Sequence, residues 1–163
     1  MQRIKQLDIG DVARWRTFVH STLATLSELV AQERLVLSVT RQDVEEVALW
    51  TESPQVHHLI ATTSRLTHGD LNPGNVFVLE AGYRVIDWQR PQLAPAEVDL
   101  AALLEGTPAL FRHVSPAAIS VFYFLRLFWA VHAKANLLPG IPQLFDRWSS
   151  EALGFIRRAA TLL

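Results

Sequence analysis

The hydrophobic pattern of this 163-residue chain changes period at Leu66, and that change limits the fold more than any other feature. Upstream, Val12, Trp15, Val19, Leu23, Leu26 and Val30 recur at intervals of three and four, which places them on one stripe of an α-helix. Asp11 or Asp8 is suited to cap its start, because a short carboxylate accepts the unpaired N–H groups of a first turn. A second helix is expected over 40–50, with Thr40 as cap and Asp43 in the first turn, and a third opens at Ser53 with Pro54 in the first helical position. From Leu66 the helical period is lost. Gly69, Pro73 and Gly74 punctuate a loop, and VFVLE at 76–80 and YRVI at 83–86 read as two short strands joined at Ala81-Gly82. Pro91 and Pro95 break the chain before a helix near 98–104, and Ser115-Pro116 starts a long apolar helix that Leu138-Pro139-Gly140 ends. A last helix carries Leu144, Trp148, Ala152, Phe155 and Ile156 on one side, with Arg147, Glu151 and Arg158 near the other. The expected class is α+β, mostly helical, as one domain over 1–163: helices in 1–65, a loop, hairpin and helix in 66–105, and helices again in 106–163.

Composition narrows the function. Fifteen Lys plus Arg against sixteen Asp plus Glu leave a net charge of −1, so there is no basic field to hold a nucleic-acid backbone or an anionic membrane surface. Zero cysteines remove disulfide frameworks and thiolate metal sites; with no basic-then-apolar leader, a reducing cytoplasmic location is expected. Apolar residues make up 50% of the chain, and the best candidate for a membrane span is 117–133, AAISVFYFLRLFWAVHA. It contains Arg126 and His132, whereas a span needs ~20 predominantly apolar residues, so a buried helix is expected.

Chemistry concentrates in four polar residues between Leu66 and Asp99: His68, Asp70, Asn75 and Asp87. Asp70 and Asn75 are separated by a loop containing Pro73 and Gly74, and the two-stranded hairpin returns the chain to the same mouth with Asp87 at its end. Two carboxylates and a carboxamide are hard oxygen donors of the kind Mg²⁺ takes alongside substrate phosphates. A lone Asp or Asn in such a loop more often caps local backbone, and Asn72 is read that way. The remaining histidines, including adjacent His57 and His58, lack metal-ligand spacing. Trp129, Trp148, Phe122 and Tyr123 fall at helical spacing and are read as core rather than as an aromatic cage for a quaternary ammonium group.

Three segments, HGDLNPGNV at 68–76, VIDW at 85–88 and VDLA at 98–101, resemble the catalytic loop, metal-binding segment and following helix start of the aminoglycoside phosphotransferase and choline kinase-like family, whose fold is protein-kinase-like. The resemblance implies ATP and Mg²⁺ as cofactors. It further implies that Asp70 accepts the proton of a substrate hydroxyl, that Asn75 and Asp87 hold Mg²⁺, that His68 is a structural loop residue, and that Asp99 braces the loop from its helix. Gly69 stands where protein kinases place an arginine that in many of them reads a phosphorylated activation segment, which favours a small-molecule kinase.

The family's fold has two lobes, and the smaller one brings a phosphate-covering loop and a lysine for the nucleotide. Here the seven glycines form no glycine-rich loop, and Lys5 is the one lysine before His68. The expectation is therefore a large C-terminal lobe with its N-terminal lobe absent, working as part of a longer kinase, with a small-lobe partner, or as a homodimer through the apolar face left bare. The rival expectation is a catalytically inactive, kinase-derived binding or scaffold domain. A binuclear metallophosphoesterase is excluded, since neither an early Asp-x-His nor a late His-x-His occurs. From residue 101 onward six bases face three acids, the wrong balance for a polycationic substrate, so a neutral or less cationic hydroxyl compound such as a sugar or amino alcohol is expected.

Overall fold

Why the chain turns where it does is legible in its caps. In the computed structural model, which describes residues 7–35, 39–137 and 142–161, helix α1 (Val12–Ala31) starts because Asp11 is extended and its carboxylate accepts the Arg14 N–H at 2.8 Å, a contact worth about 1 kcal/mol. Asp8 is not the cap; it pairs with the Arg14 side chain, and its backbone bridges to Leu93. Trp15, Val19, Leu23 and Leu26 are buried along one stripe, with Leu29 the buried residue at its end and Val30 only partly covered. Helix α2 (Arg41–Thr51) opens on a reciprocal capping box between Thr40 and Asp43. Ser53 caps α3 (Pro54–Thr63), accepting the Val56 N–H at 3.3 Å.

The helical stretch stops at Thr63, two residues short of the expected 65, because β1 (Ser64–Thr67) follows at once. After the loop come β2 (Val76–Leu79) and β3 (Gly82–Val85), antiparallel with Leu79 opposite Gly82. The tight turn is Glu80-Ala81 rather than Ala81-Gly82, and Gly82, at φ 131°, is the first residue of β3. The segment between Pro91 and Pro95 is no simple break. It is β4 (Gln92–Pro95), paired antiparallel with β1 from Thr67 opposite Gln92 to Ser64 opposite Pro95. Proline is tolerated there because it ends the strand on a two-stranded ribbon.

Helices α4 (Glu97–Leu104) and α5 (Pro108–Phe111) lead to α6 (Pro116–His132), whose cap Ser115 accepts the Ala118 N–H at 3.2 Å. A π-helical turn, Ala133–Leu137, continues α6, and α7 (Pro142–Ala160) packs back along it. The expected stop at Leu138-Pro139-Gly140 lies outside the described residues, as do Lys5 and the side chain of Leu144. Over Pro116–Asn136 the chain is long and apolar enough to cross a membrane by length and composition, yet 61% of the window is buried within the fold. Val121, Phe124 and Leu127 are fully enclosed. Phe124 meets Trp15 edge-on at 5.3 Å, and the Trp15 indole N–H donates to the Thr51 carbonyl at 3.0 Å, which locks α1, α2 and α6 around one cluster. Trp148 departs from the expected stripe of α7. Ala152 and Ile156 are buried, whereas Trp148 is 41% exposed and belongs to the site described next.

Candidate active site

The loop between β1 and β2 is fixed at its start by one histidine and one aspartate. His68, 1% exposed, follows β1 directly. Its backbone N–H donates to Asp99 Oδ2 at 2.6 Å, and the Gly69 N–H donates to Asp99 Oδ1 at 3.0 Å. Asp99 lies in the first turn of α4, where the helix dipole favours a carboxylate. The His68 ring reaches the other way. Its Nδ1 accepts the Asp70 N–H at 3.3 Å, so Nε2 carries the hydrogen donated to the Ile86 carbonyl at 2.7 Å. The Trp88 ring covers the imidazole at 4.8 Å between centroids.

Gly69 is required on steric grounds. At φ 79° its backbone is left-handed, and a Cβ there would lie 2.1 Å from the Arg90 carbonyl oxygen. Nothing larger than hydrogen fits between the loop and the chain leaving β3.

Asn72 accepts the Gly74 N–H at 2.9 Å and caps the 3₁₀ turn Pro73–Asn75, the local turn role read from its sequence context. Both Asn72 and Asn75 donate their amide nitrogens to the Asp70 carbonyl, at 3.1 and 3.0 Å. That fixes the Asn75 carboxamide and leaves its Oδ1 with no hydrogen-bond partner among the described residues. The Asn75 carbonyl in turn accepts the Ile86 N–H at 3.0 Å, so the residue before Asp87 is tied both to Asn75 and to His68. Asp87 is left-handed, at φ 65°, a conformation Asp tolerates better than most residues; its side chain, like that of Asp70, makes no hydrogen bond or ion pair among the described residues. Asp70 and Asn75 are thus joined directly, Asp87 is joined to them through Ile86, and His68 and Asp99 hold the loop that carries the group.

A cavity of about 330 Å³ opens on the loop. Asp70 and Asp99 line it, together with Phe122, Trp129 and Trp148, whereas Asn75 and Asp87 stand outside it. The core reading holds for Phe122, which is buried in the core cluster and also borders the cavity, and fails for Trp148, which is 41% exposed, while Trp129 is half-buried at the cavity wall; helical spacing cannot separate a residue facing a core from one facing a cavity beside it. Tyr123 faces away, stacked on Phe155 at 4.1 Å, with its hydroxyl donating to Glu105 at 3.0 Å. Burial, then the Glu105 charge, pushes its phenol well above the usual range. Glu105 also pairs with Arg126. Arg90, which the sequence reading passed over, lies with its guanidinium 4.8 Å from the Trp129 ring centroid; only its place three residues after Asp87 marked it.

The donor set suits a hard cation. A carboxylate on Asp87, a carboxylate on Asp70 and an amide oxygen on Asn75, none of them spent on local bonds, match the oxygen preference of Mg²⁺. No curated protein and no solved structure matches the chain. The model of the phosphotransferase enzyme family matches residues 3–134, a span that runs from before α1 through α6 and includes every loop residue above. On that match, the chain belongs to the phosphotransferase enzyme family.

Proposed function

We propose that the chain supplies the catalytic-loop half of an ATP-dependent phosphotransferase that acts on the hydroxyl of a small molecule. The observation that carries this reading is the set of uncommitted oxygen donors on Asp70 and Asn75, in a loop braced by His68 and Asp99, and on Asp87, which Ile86 ties to that loop, with Asp70 lining the cavity. Asp70 orients the substrate hydroxyl and takes its proton at the carboxylate. Asn75 and Asp87 hold Mg²⁺, which when bound neutralises charge on the phosphate groups. Asn75 is pre-set for this, because its nitrogen is committed to the Asp70 carbonyl and only the oxygen is left to offer. The aromatic wall keeps water from the hydroxyl. Phosphoryl transfer is mostly positioning and electrostatics, so the stiffness that His68 and Asp99 give the loop is part of the catalyst.

On this reading the phosphate-covering groups are supplied from outside these 163 residues, which contain no glycine-rich loop. The β2–β3 ribbon supports it. Val78 and Tyr83, directly opposed, are 77% and 78% exposed, and Phe77 and Leu79 on the other face are about half exposed. An isolated two-stranded ribbon with apolar groups on both faces is marginal unless something covers it, whether a small-lobe partner or a second copy of the chain. Self-association on light scattering that Val78→Lys abolishes is expected.

The decisive experiment is calorimetry with ATP and Mg²⁺, followed by turnover. Metal-dependent nucleotide binding lost in Asp87→Ala, and transfer reduced by ~10²–10⁴ in Asp70→Asn with folding intact, are the expected results. Nucleotide binding that is absent, or indifferent to metal, favours the inactive scaffold instead; the lack of a nucleotide lysine other than Lys5 before the loop is the observation that keeps that second reading in play.

A further inference from the structure

We infer that the cavity beside Asp70 takes a hydroxyl compound with a flat apolar body and an anionic group, the anion being read by Arg90. The inference deepens the phosphotransfer reading and rests on it for which end of the substrate faces Asp70.

Charge accounting around the cavity leads to it. Three carboxylates line the wall, but two are already answered. Glu105 is paired with Arg126 and receives the Tyr123 hydroxyl. Asp99 is held by the N–H groups of His68 and Gly69. Asp70 remains, and it faces the hydroxyl. Among the cations, Arg126 is neutralised by Glu105, whereas Arg90 has no carboxylate partner among the described residues; its guanidinium lies over the ring of Trp129. The cavity therefore presents one negative group suited to a hydroxyl and one unpaired positive group.

Arg90 is also poised rather than adrift. Its guanidinium carbon lies over the Trp129 ring, 4.8 Å from the centroid, its N–H groups make no hydrogen bond among the described residues, and a guanidinium edge matches a carboxylate or phosphate through two parallel hydrogen bonds. A polycation would meet only Asp70 unpaired and would be repelled by Arg90. Trp129, Trp148 and Phe122 give the cavity an apolar, aromatic wall suited to a flat apolar body, and about 330 Å³ is at the small end of ligand cavities, which suits a single-ring compound. Because Asp70 is itself negative, the substrate's anion must lie at the end remote from its hydroxyl.

Three probes that share one hydroxymethylphenyl body and differ in the charge of the para group test this on the full chain without nucleotide: 4-(hydroxymethyl)benzoate, 4-(hydroxymethyl)benzamide and 4-(hydroxymethyl)benzylamine, by calorimetry with tryptophan fluorescence as a second readout. The benzoate is expected to bind about tenfold tighter than the amide, with the amine weakest. Arg90→Gln brings the benzoate down to the amide's affinity and leaves the amide within about twofold. Arg90→Glu reverses the order in favour of the amine, and Trp129→Leu weakens benzoate and amide together. Circular dichroism checks that each variant is folded. The inference is overturned if amide or amine binds as tightly as benzoate, if no probe binds at millimolar concentration, or if Arg90→Gln keeps the preference. Mg²⁺-dependent ATP binding, measured on the same samples, separates the two claims. Nucleotide binding without anion preference defeats this inference alone, and anion preference without nucleotide binding upholds the anion site while defeating the phosphotransfer reading.

Discussion

Asp99 accepts the backbone N–H of His68 at 2.6 Å, across thirty-one positions of sequence, and its other oxygen takes the N–H of the next residue, Gly69. One side chain on α4 thereby sets the direction in which the loop leaves β1. Removing it strands two donors in a part-buried setting. Asp99→Ala is expected to cost about 1–3 kcal/mol, a fall of roughly 2–4 °C in Tm for each kcal/mol at this chain length. Asp99→Asn, which keeps one acceptor oxygen, falls between the two. Thermal unfolding of the three chains checks the order; equal Tm values for Asp99→Ala and the parent remove Asp99 from its bracing role.

Gly69→Ala has a harsher prognosis for its size. The methyl meets the Arg90 carbonyl at 2.1 Å, backbone against backbone, with no flexible side chain to yield. Left-handed backbone alone costs a non-glycine residue of order 1–3 kcal/mol, and relieving the clash shifts the connection between β3 and β4 that carries Arg90. Loss of ordered structure around Trp88 and Arg90, read as a changed tryptophan fluorescence maximum together with lowered stability, is the expected result. An alanine variant with native stability contradicts the geometry.

The local architecture around this loop is legible in the sequence for identifiable reasons. The β1–β2 loop and the hairpin announce themselves through glycine, proline and two-residue alternation, all of which act within a few positions. Asp11, Thr40, Ser53 and Ser115 are legible as caps because capping is a local bond. The β1–β4 pairing escaped notice because SRLT and QLAP are four residues each, too short for periodicity, and their partnership spans the whole loop and hairpin. Arg90 and the aromatic wall were missed for a related reason. Whether Trp129 and Trp148 face a core or a cavity depends on how α6 and α7 meet, which neither helix's own pattern contains. Asp99 was legible only through the family resemblance; the two N–H groups it holds are far away in sequence.

Tyr123 gives the chain a stability that is specific to its protonated form. Burial first, and the Glu105 charge next, hold its phenol above the ordinary value of 10. The sign follows directly: the folded protein keeps the proton where an unfolded tyrosine loses it. The contribution is therefore complete below pH 10 and drains away as pH rises from 10 toward the higher folded value. Tyr123→Phe preserves the stacking on Phe155 and removes the titration, so its denaturant midpoint should fall less steeply than the parent's above pH 10. In a Tyr83→Phe background, where Tyr123 is the remaining tyrosine, phenolate absorbance should appear only as the chain unfolds. Reversible ionisation of the folded protein near pH 10 rules the assignment out.

Lys134 and Asp146 form an ion pair at 3.1 Å with side chains only 3% and 1% exposed. It joins the π-helical turn after α6, where the family match ends at residue 134, to α7, and Trp148 stands two positions further along α7 on the cavity wall. Two charges in such a place gain little net stability as a pair, because desolvation offsets their attraction, but removing one takes a buried counter-charge away from the other. Asp146→Ala is expected to cost about 3–5 kcal/mol, while Lys134→Met combined with Asp146→Leu returns to within about 1 kcal/mol of the parent or exceeds it. Urea unfolding of the parent, the single and the double variant measures both. If the single variant loosens α7, the probe affinities that depend on Trp148 should fall with it and recover in the double variant. A single variant as stable as the parent, or a double variant no better than the single, shows that the pair does not hold the two helices in the way its burial requires.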